Sequence, residues 1–233
     1  METQTGPVLA FLQARMGSTR LPGKVLMRIH GQSILERAVR RLREARAIEQ
    51  VVVLTTRSGE DDRVVEEALR LGAWVHRGPE QDVLKRFRQA SARYLPAIIV
   101  RATGDNPLID IGSVDRIVGA LQAGNLEYCM EIGLPVGAAT EAITAEALAR
   151  VDQYAREPRH REHVTFYVKE HPEQFRMALL SPPDYLYRPD MRVTVDTPED
   201  FALVKELIER VPGQAPPLQV YLDTARTMLR HGS

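Results

Sequence analysis

The sequence contains little of several residue types and patterns that often identify a function. Its 233 residues include one cysteine, Cys129, which excludes an internal disulfide and a cysteine-based zinc site. Lys and Arg together number 31, as do Asp and Glu, so the net charge of zero offers no general attraction for nucleic acid or a membrane. No apolar run approaches the roughly 18 residues of a membrane span, and residues 1–7 show no secretion-signal pattern. We therefore expect a cytoplasmic protein without membrane insertion and without a nucleic-acid partner.

Motifs of several large enzyme classes are also missing. A P-loop requires four residues between its first glycine and its Gly-Lys pair, followed by Ser or Thr. Here five residues separate Gly17 from Gly23, and Val25 follows Lys24. The dinucleotide-binding pattern G-x-G-x-x-G, the nucleophile elbow G-x-S-x-G and the metal motif Asp-x-Asp do not occur. The chain is therefore neither a P-loop ATPase nor, on these motifs, a dehydrogenase or an α/β-hydrolase.

The most informative stretch is residues 13–24, Gln-Ala-Arg-Met-Gly-Ser-Thr-Arg-Leu-Pro-Gly-Lys, which follows the apolar run 8–12. It combines three cations, Arg15, Arg20 and Lys24, with two glycines and two hydroxyls. Glycines allow the backbone N–H groups to approach an anion closely, and arginine binds phosphate in a planar, bidentate manner. A loop of this composition at a strand exit predicts phosphate binding, the alternative being a solvated basic loop.

Apolar strand patterns alternate with helical patterns through the first half of the chain. A Ser33/Glu36 pair has the spacing of a capping box and predicts the first helix start. The predicted strands are 8–13, 51–54, 73–77 and 97–102, and the predicted helices begin at 33, 60, 81 and about 112. This alternation predicts a three-layer α/β/α fold with a mostly parallel sheet. Ligands of such sheets bind beyond the carboxyl ends of the strands, which places residues 13–24 at the binding edge.

The second half is less regular. Thr197 followed by Pro198 predicts a helix start, because Thr is a favoured N-cap and Pro a favoured first residue. The remaining predictions are strands at 128–132 and 191–195, an extended segment at 135–143, and helices at 144–154, 158–170 and 218–230. No linker demands two independent domains, so we expect a single domain over residues 1–233.

Two aspartates follow predicted strands, and both are candidates for a metal site. Asp105 follows strand 97–102, and Asp196 follows strand 191–195. Mg²⁺ favours one or two carboxylates together with phosphate oxygens and water. Each residue also has a structural interpretation, because Asp196 could cap the helix that starts at Pro198 and Asp105 could form the turn before Asn-Pro.

The segment 159–163, Arg-His-Arg-Glu-His, places two histidines three residues apart on a predicted helix. A catalytic zinc site needs a third protein ligand, and none occurs at a recognisable spacing. The segment is thus either a polar helix that faces substrate or a solvated charged face. Arg77, Asp82 and Arg86 are equally open to two interpretations, a nucleotide contact or the start of a helix.

Six segments, taken in order, resemble a known family. They are residues 13–24; Arg77-Gly78 with Asp82 to Arg86; residues 101–110, Arg-Ala-Thr-Gly-Asp-Asn-Pro-Leu-Ile-Asp; Pro135-Val136-Gly137 leading to Glu141; Arg161 to Thr165; and residues 192–200, Arg-Val-Thr-Val-Asp-Thr-Pro-Glu-Asp. The chain resembles the sugar-acid cytidylyltransferases, which include the CMP-KDO and CMP-sialate synthetases. It is more similar to the branch typified by the spore-coat polysaccharide biosynthesis protein SpsF.

The resemblance implies a nucleotide-diphospho-sugar transferase-like fold, CTP and a sugar acceptor as substrates, Mg²⁺ as cofactor, a homodimer and a role in surface polysaccharide biosynthesis. It also divides the domain into a nucleotide-binding half at about 1–124, an acceptor-binding and dimerisation half at about 125–210, and a C-terminal helix to 233. The implied nucleotide-binding residues are Gln13, Ala14, Arg15, Gly17, Ser18, Arg20, Lys24, Arg77, Asp82, Arg101 and Thr103. The implied acceptor-binding residues are Glu141, Arg161, Glu162 and His163. Asp105 and Asp196 would hold the metal, and Arg15, Lys24 and Asp105 would be catalytic.

Three alternatives remain at this stage. The first is a glycosyltransferase that uses a ready-made nucleotide sugar, although many enzymes of that type use the Asp-x-Asp motif that is missing here. The second is a non-catalytic nucleotide-binding protein on the same scaffold. The third is a nucleotidyltransferase for another base, such as UTP or GTP.

Overall fold

The strands of the first half form the centre of the structure, a computed structural model that describes residues 6–213 and 215–231. The strands in these residues are β1 Val8–Gln13, β2 Arg28–Ile29, β3 Gln32–Ser33, β4 Gln50–Thr56, β5 Trp74–Gly78, β6 Ile98–Thr103, β7 Tyr128–Glu131, β8 Glu141–Thr144 and β9 Met177–Leu180. The helices are α1 Ile34–Glu44, α2 Asp62–Arg70, α3 Val83–Tyr94, α4 Ile111–Ala123, α5 Ala145–Tyr154, α6 Pro158–Glu162, α7 Phe166–Glu170, α8 Pro198–Arg210 and α9 Leu218–His231.

In the described part of the chain, seven strands form one sheet in the order β5-β4-β1-β6-β8-β7-β9, and β2 pairs separately with β3. Within the seven-stranded sheet, neighbouring strands are parallel except where β8 pairs with β6 and with β7, and β2 and β3 are antiparallel. The predicted mostly parallel α/β sheet is therefore confirmed. Because β8 runs in the opposite direction, its first residue, Glu141, lies at the same edge as the carboxyl ends of the other strands.

Both faces of the sheet are covered by helices, which explains the continuous apolar runs of the central strands. Along β1, Ala10 and Leu12 pack in a core with α1, α2 and α4. Leu9 and Phe11 pack in a second core with α3, α5 and α7. A third apolar cluster joins α8 and α9 to the segment around Val193. The sheet is thus the middle layer of three.

Three local predictions need correction, and one strand of the sheet was missed. The predicted helix 158–170 is two short helices, α6 and α7, separated by a turn. Residues 191–195 are extended but make only an isolated bridge, from Arg192 to Val136, so they form no strand of the sheet. The strand β9 was not predicted, since Met, Ala and Leu favour helices. Ser33 accepts the amide of Glu36 at 2.9 Å, but the Glu36 carboxylate pairs with Arg70 at 2.6 Å instead of completing a capping box.

Within residues 6–213 and 215–231, none of the helices combines the length and the apolar character that crossing a bilayer would require.

Candidate active site

The loop that follows β1 leaves the sheet at the predicted binding edge. The Ala14 amide donates to the Leu54 carbonyl at 3.0 Å, which extends the pairing of β1 with β4. On the other side, the Gly104 amide donates to the Gln13 carbonyl at 2.8 Å. A Cβ at Gly104 would lie 2.8 Å from the Ala14 Cβ, so the close approach requires glycine. The 13–24 loop and the 104–107 turn are therefore adjacent.

The 13–24 loop is closed by its own backbone. The Met16 carbonyl accepts the amides of Ser18 at 2.8 Å and Gly23 at 3.0 Å. Gly23 has φ of 71°, a left-handed conformation that glycine adopts without strain. The closed loop directs Arg15, Arg20 and Lys24 to the edge of the sheet, although only Lys24 is buried.

Asp61 anchors this loop to the neighbouring strand, and sequence analysis did not identify it. Its Oδ1 accepts the Met16 amide at 2.7 Å, and its Oδ2 accepts both the amide and the hydroxyl of Thr56. Burial alone would raise the pKa of Asp61, but the hydrogen bonds from Thr56 and Met16 outweigh it and hold the pKa below its ordinary value. Asp61 is thus an ionised, buried acceptor that positions the loop.

We expect Asp61→Asn to raise the KM for the nucleotide about tenfold and to lower stability by about 1–3 kcal/mol, because one amide N–H of Asn would face the Thr56 donors. Steady-state kinetics and urea unfolding would measure both effects. Asp190→Asn, which makes the same chemical change on an exposed residue outside the site, is the matched control. A nucleotide KM equal to that of the control would refute the anchoring role.

At the centre of the edge, Lys24 joins the two aspartates. Its Nζ lies 2.6 Å from Asp105 Oδ2 and 2.7 Å from Asp196 Oδ1. The lysine is only 7% exposed, so little water screens these contacts. The two carboxylates, 91 positions apart in the chain, therefore converge on one cation.

Asp196 is further fixed by two arginines. Arg20 lies 3.1 Å from its Oδ1, and Arg192 contacts its Oδ2. Burial would raise the pKa of Asp196, but Lys24, Arg20 and Arg192 outweigh it and hold the pKa below its ordinary value. Thr197, rather than Asp196, caps α8, in a complete capping box with Asp200. The capping interpretation of Asp196 is therefore wrong, and its carboxylate faces the cations.

The segment that carries Asp196 is attached to the turn that carries Asp105. The Val195 amide donates to the Asp105 carbonyl at 2.9 Å. Val136 pairs with the same segment at Arg192, and a Cβ on Gly137 would lie 2.6 Å from the Thr194 amide nitrogen. The segment 191–195 thus lies beyond the sheet edge, where it brings its aspartate to the site.

Arg15 reaches in the opposite direction and pairs with Glu80 at 3.2 Å. The turn that carries Glu80 is held by Arg86, which donates to the carbonyls of Pro79 at 2.7 Å and Glu80 at 3.0 Å. Burial, together with the nearby Arg15, lowers the pKa of Arg86 to about 10. Arg86 therefore has a structural role in shaping the turn opposite the 13–24 loop.

Arg77 is engaged by the loop after β4. Its guanidinium donates to the carbonyls of Thr56 at 2.8 Å and Ser58 at 2.5 Å, and it pairs with Asp62 at 2.5 Å. These contacts explain how Arg77 stabilises the loop, and its predicted nucleotide contact stays a prediction.

Asp82 and Arg161, predicted to bind different substrates, bind each other. The Arg161 guanidinium lies 3.0 and 2.8 Å from the two Asp82 oxygens and 2.7 Å from Asp152. Asp82 also caps α3 by accepting the Lys85 amide at 2.9 Å. The pair joins α3 to α6 on the side of the sheet that carries the second core.

Glu141 is the centre of a buried charged cluster. Lys169 Nζ lies 2.6 Å from its Oε1, Arg101 Nη1 lies 3.5 Å from the same atom, and the Thr165 hydroxyl donates to Oε2. Burial would raise the pKa of Glu141, but Arg101, Lys169 and Thr165 together hold it below its ordinary value. The predicted neighbours Glu162 and His163 are exposed, so the 158–170 segment reaches Glu141 through Thr165 and Lys169 instead.

Several predicted residues form one row on the face of the sheet that packs against α3. Gln13 is in register with Thr103, and Arg101 is in register with Glu141. Because alternate residues of a strand share a face, Arg101 and Thr103 point to the same side. The row runs from the 13–24 loop to the Glu141 cluster, so it connects the two predicted substrate regions.

The donor set suits a magnesium ion bound together with a phosphate ligand. Across the described ranges, no group of three or more His, Cys, Asp or Glu side chains could hold a metal by itself. Asp105 and Asp196 supply two carboxylates that already converge on a cationic group, the Lys24 ammonium. Mg²⁺ usually takes one or two carboxylates and completes its shell with phosphate oxygens and water. The residues present fit that requirement.

A loop with three cations and two converging carboxylates lie together at the carboxyl edge of a mostly parallel sheet, an arrangement that favours a nucleotidyltransferase. The family model described as Cytidylyltransferase matches residues 9–224. The chain therefore belongs to the cytidylyltransferase family.

Individual relatives agree with this assignment. The spore coat polysaccharide biosynthesis protein SpsF of Bacillus subtilis is 34% identical over 214 residues, which are 90% of this chain and 89% of SpsF. The structure of a cytidylyltransferase from Leptospira borgpetersenii has a TM-score of 0.90 and 33% identity, and the match covers 97% of this chain and 96% of that one. The structure of CMP:2-keto-3-deoxy-manno-octonic acid synthetase complexed with CTP shares the fold, with a TM-score of 0.69 and 17% identity over 88% of this chain and 99% of that one.

Proposed function

We propose that the protein is a Mg²⁺-dependent cytidylyltransferase that activates a sugar acid with CTP for surface polysaccharide biosynthesis. The observation that carries the proposal is the convergence of Lys24, Asp105 and Asp196 beside the 13–24 loop. The relative with a printed role in polysaccharide biosynthesis, SpsF, and the fold neighbour that was solved with CTP support the choice of nucleotide and pathway. We further propose that it acts as a homodimer in the cytoplasm.

The reaction is an in-line nucleotidyl transfer. An acceptor hydroxyl loses its proton to solvent and bonds to the α-phosphorus of CTP, while the bond from that phosphorus to the bridging oxygen breaks and pyrophosphate leaves. Arg15, Arg20 and Lys24 bind the triphosphate and stabilise the charge that develops on pyrophosphate. Asp105 and Asp196 would hold Mg²⁺, which supplies charge stabilisation at the α-phosphate. The protein otherwise contributes by positioning the two substrates.

The charge of the Glu141 cluster supports an anionic acceptor. Arg101 and Lys169 carry two positive charges, and the ionised Glu141 carries one negative charge. These three side chains therefore carry a net positive charge, and Arg101 belongs to the row that leads to the 13–24 loop. The Lys169 side chain is about one-third exposed, so it can contact a ligand as well as Glu141. We propose that this cluster recognises the carboxylate of the sugar acid.

Lys169→Met is expected to raise the KM for a sugar-acid acceptor by about 10- to 100-fold and to leave the KM for CTP unchanged, because it removes one charge-assisted contact of about 1.5–3 kcal/mol. Lys205→Met, on the exposed side of α8, is the matched control. Equal increases in the KM for both substrates would contradict an acceptor role. Steady-state kinetics with each substrate varied in turn would separate these outcomes.

One assay tests the proposed function itself. The protein is incubated with Mg²⁺, each of CTP, UTP, GTP and ATP, and a panel of sugar acids and sugar phosphates, and pyrophosphate is measured. Release with CTP and a sugar acid supports the proposal, and release with another nucleotide would correct the base. Hydrolysis of nucleotide sugars without pyrophosphate would support a glycosyltransferase instead. Sedimentation at several concentrations tests the homodimer.

A further inference from the structure

The cations that are proposed to bind the triphosphate already have carboxylate partners in the protein. Lys24 contacts Asp105 and Asp196, Arg20 contacts Asp196, and Arg15 contacts Glu80. Nucleotide phosphates that bind the buried Lys24 ammonium group would therefore exchange places with Asp105 and Asp196 as its main partners. The exchange leaves Asp105 and Asp196 with fewer positive neighbours than they have in this structure.

Lys24 occupies the position where a metal would bind. Its Nζ contacts Asp105 Oδ2 and Asp196 Oδ1, the oxygens through which the two carboxylates converge. The other oxygen of Asp196 is engaged by Arg192. A magnesium ion needs oxygens at about 2.0–2.1 Å, which would place it in the space now filled by the ammonium group. Lysine and metal thus compete for the same two oxygens.

The charge balance also disfavours a metal alone. The charged cluster that contains Asp196 has equal numbers of the two signs. Its three cations are Lys24, Arg20 and Arg192, and its three carboxylates are Asp105, Asp196 and Asp200. The cluster is neutral, so a dication gains no net attraction from it and meets a buried ammonium group at short range. A triphosphate would bring negative charge and draw Lys24 and Arg20 toward itself.

We propose that Lys24 closes the metal site until the phosphates of the nucleotide bind its ammonium group. Metal and nucleotide then bind cooperatively, and each raises the affinity of the protein for the other by the same factor. Lys24 therefore has two functions, to bind phosphate in the complex and to exclude metal from the free protein. This inference rests on the proposed nucleotidyl transfer, in which Asp105 and Asp196 hold the metal.

The test measures metal binding to the full chain without nucleotide. Mn²⁺ is the probe, because it shares the preference of Mg²⁺ for carboxylate oxygens and its free form is quantified by electron paramagnetic resonance. We expect Lys24→Met to bind one Mn²⁺ at least tenfold more tightly than the wild-type protein. Arg28→Met, which removes the same charge from an exposed side chain paired with Glu67, should bind as the wild type does. Adding Asp105→Asn to Lys24→Met should abolish the gain.

Thermal unfolding provides a second measurement, since metal that binds only the folded state raises Tm. Mn²⁺ should raise the Tm of Lys24→Met and leave that of the wild type nearly unchanged, and Lys24→Gln serves if the Met variant does not fold. Equal Mn²⁺ affinities of wild type and folded Lys24 variants, whether tight or weak, would overturn the inference. The proposed function is judged separately, by pyrophosphate release from CTP in the wild-type protein.

Discussion

The Asp105→Asn variant is expected to release pyrophosphate from CTP on the order of 100- to 1,000-fold more slowly than the wild-type protein, with its fold intact. The neutral amide would hold a metal poorly and would no longer attract the Lys24 ammonium, which lies 2.6 Å from the Asp105 carboxylate. The main-chain contact of Asp105 with Val195 does not involve the side chain, so the local backbone should remain in place. Continuous pyrophosphate detection under saturating substrates measures the effect on kcat.

Asp190→Asn is the matched control, because it makes the same chemical change on an exposed residue six positions before Asp196. Circular dichroism and thermal unfolding would establish that both variants are folded. Undiminished turnover of a folded Asp105→Asn protein would remove Asp105 from the catalytic role and with it the two-carboxylate metal site.

The largest effect on stability is expected at Glu141. Glu141→Gln should lower the free energy of unfolding by about 3 kcal/mol, because it leaves Lys169 and the partly buried Arg101 without their counter-ion. Urea unfolding at pH 7 measures this change in the free energy of unfolding, because the midpoint of the transition shifts with it. Glu146→Gln, on the exposed first turn of α5, should change stability by less than about 0.5 kcal/mol.

The loss of stability caused by Glu141→Gln should also depend on pH. Since its pKa in the folded protein is below the ordinary value of 4.5, ionised Glu141 stabilises the fold fully above that value. The contribution is lost as the pH falls through the lower pKa of the folded state. The stability difference between wild type and Glu141→Gln should therefore shrink below about pH 4.5. A difference that is constant from pH 7 to pH 3 would show that packing, not charge, causes the loss.

The sequence predicts the central layer of the fold well, because its signals are local. Strands β1, β4 and β6 each contain a continuous apolar run, and Thr197 with Pro198 marks the start of α8 by short-range capping chemistry. Parallel pairing then places the 13–24 loop and Asp105 at the same edge without further information. The family resemblance extends over the same segments, and the family match confirms it.

Predictions fail where distant parts of the chain decide the structure. The sequence of β9, Met-Ala-Leu-Leu, favours a helix, and only its pairing with β7 makes it a strand. The 158–170 segment breaks between α6 and α7, and Thr165 at that break donates to Glu141. A continuous helical pattern conceals the break.

The supporting residues of the site were missed for a related reason. Asp61 looks like an ordinary acid at the start of α2, and nothing local shows that it accepts an amide from Met16, 45 positions earlier. Thr165 and Lys169 are four residues apart, a spacing that could have grouped them on one helical face. Both contact Glu141, and Glu141 lies within their reach only because β8 runs in the opposite direction to its neighbours.

The hydrogen bond from the Val195 amide to the Asp105 carbonyl ties together the two backbone segments that carry the carboxylates. The 191–195 segment and the turn after β6 must therefore shift together whenever either one moves. Adjustment to a ligand then falls to the side chains of the 13–24 loop, namely Lys24 and the exposed Arg15 and Arg20. With the backbones of the acidic pair linked and the cations on longer side chains, phosphates can be exchanged in each turnover without separating the two segments that carry the aspartates.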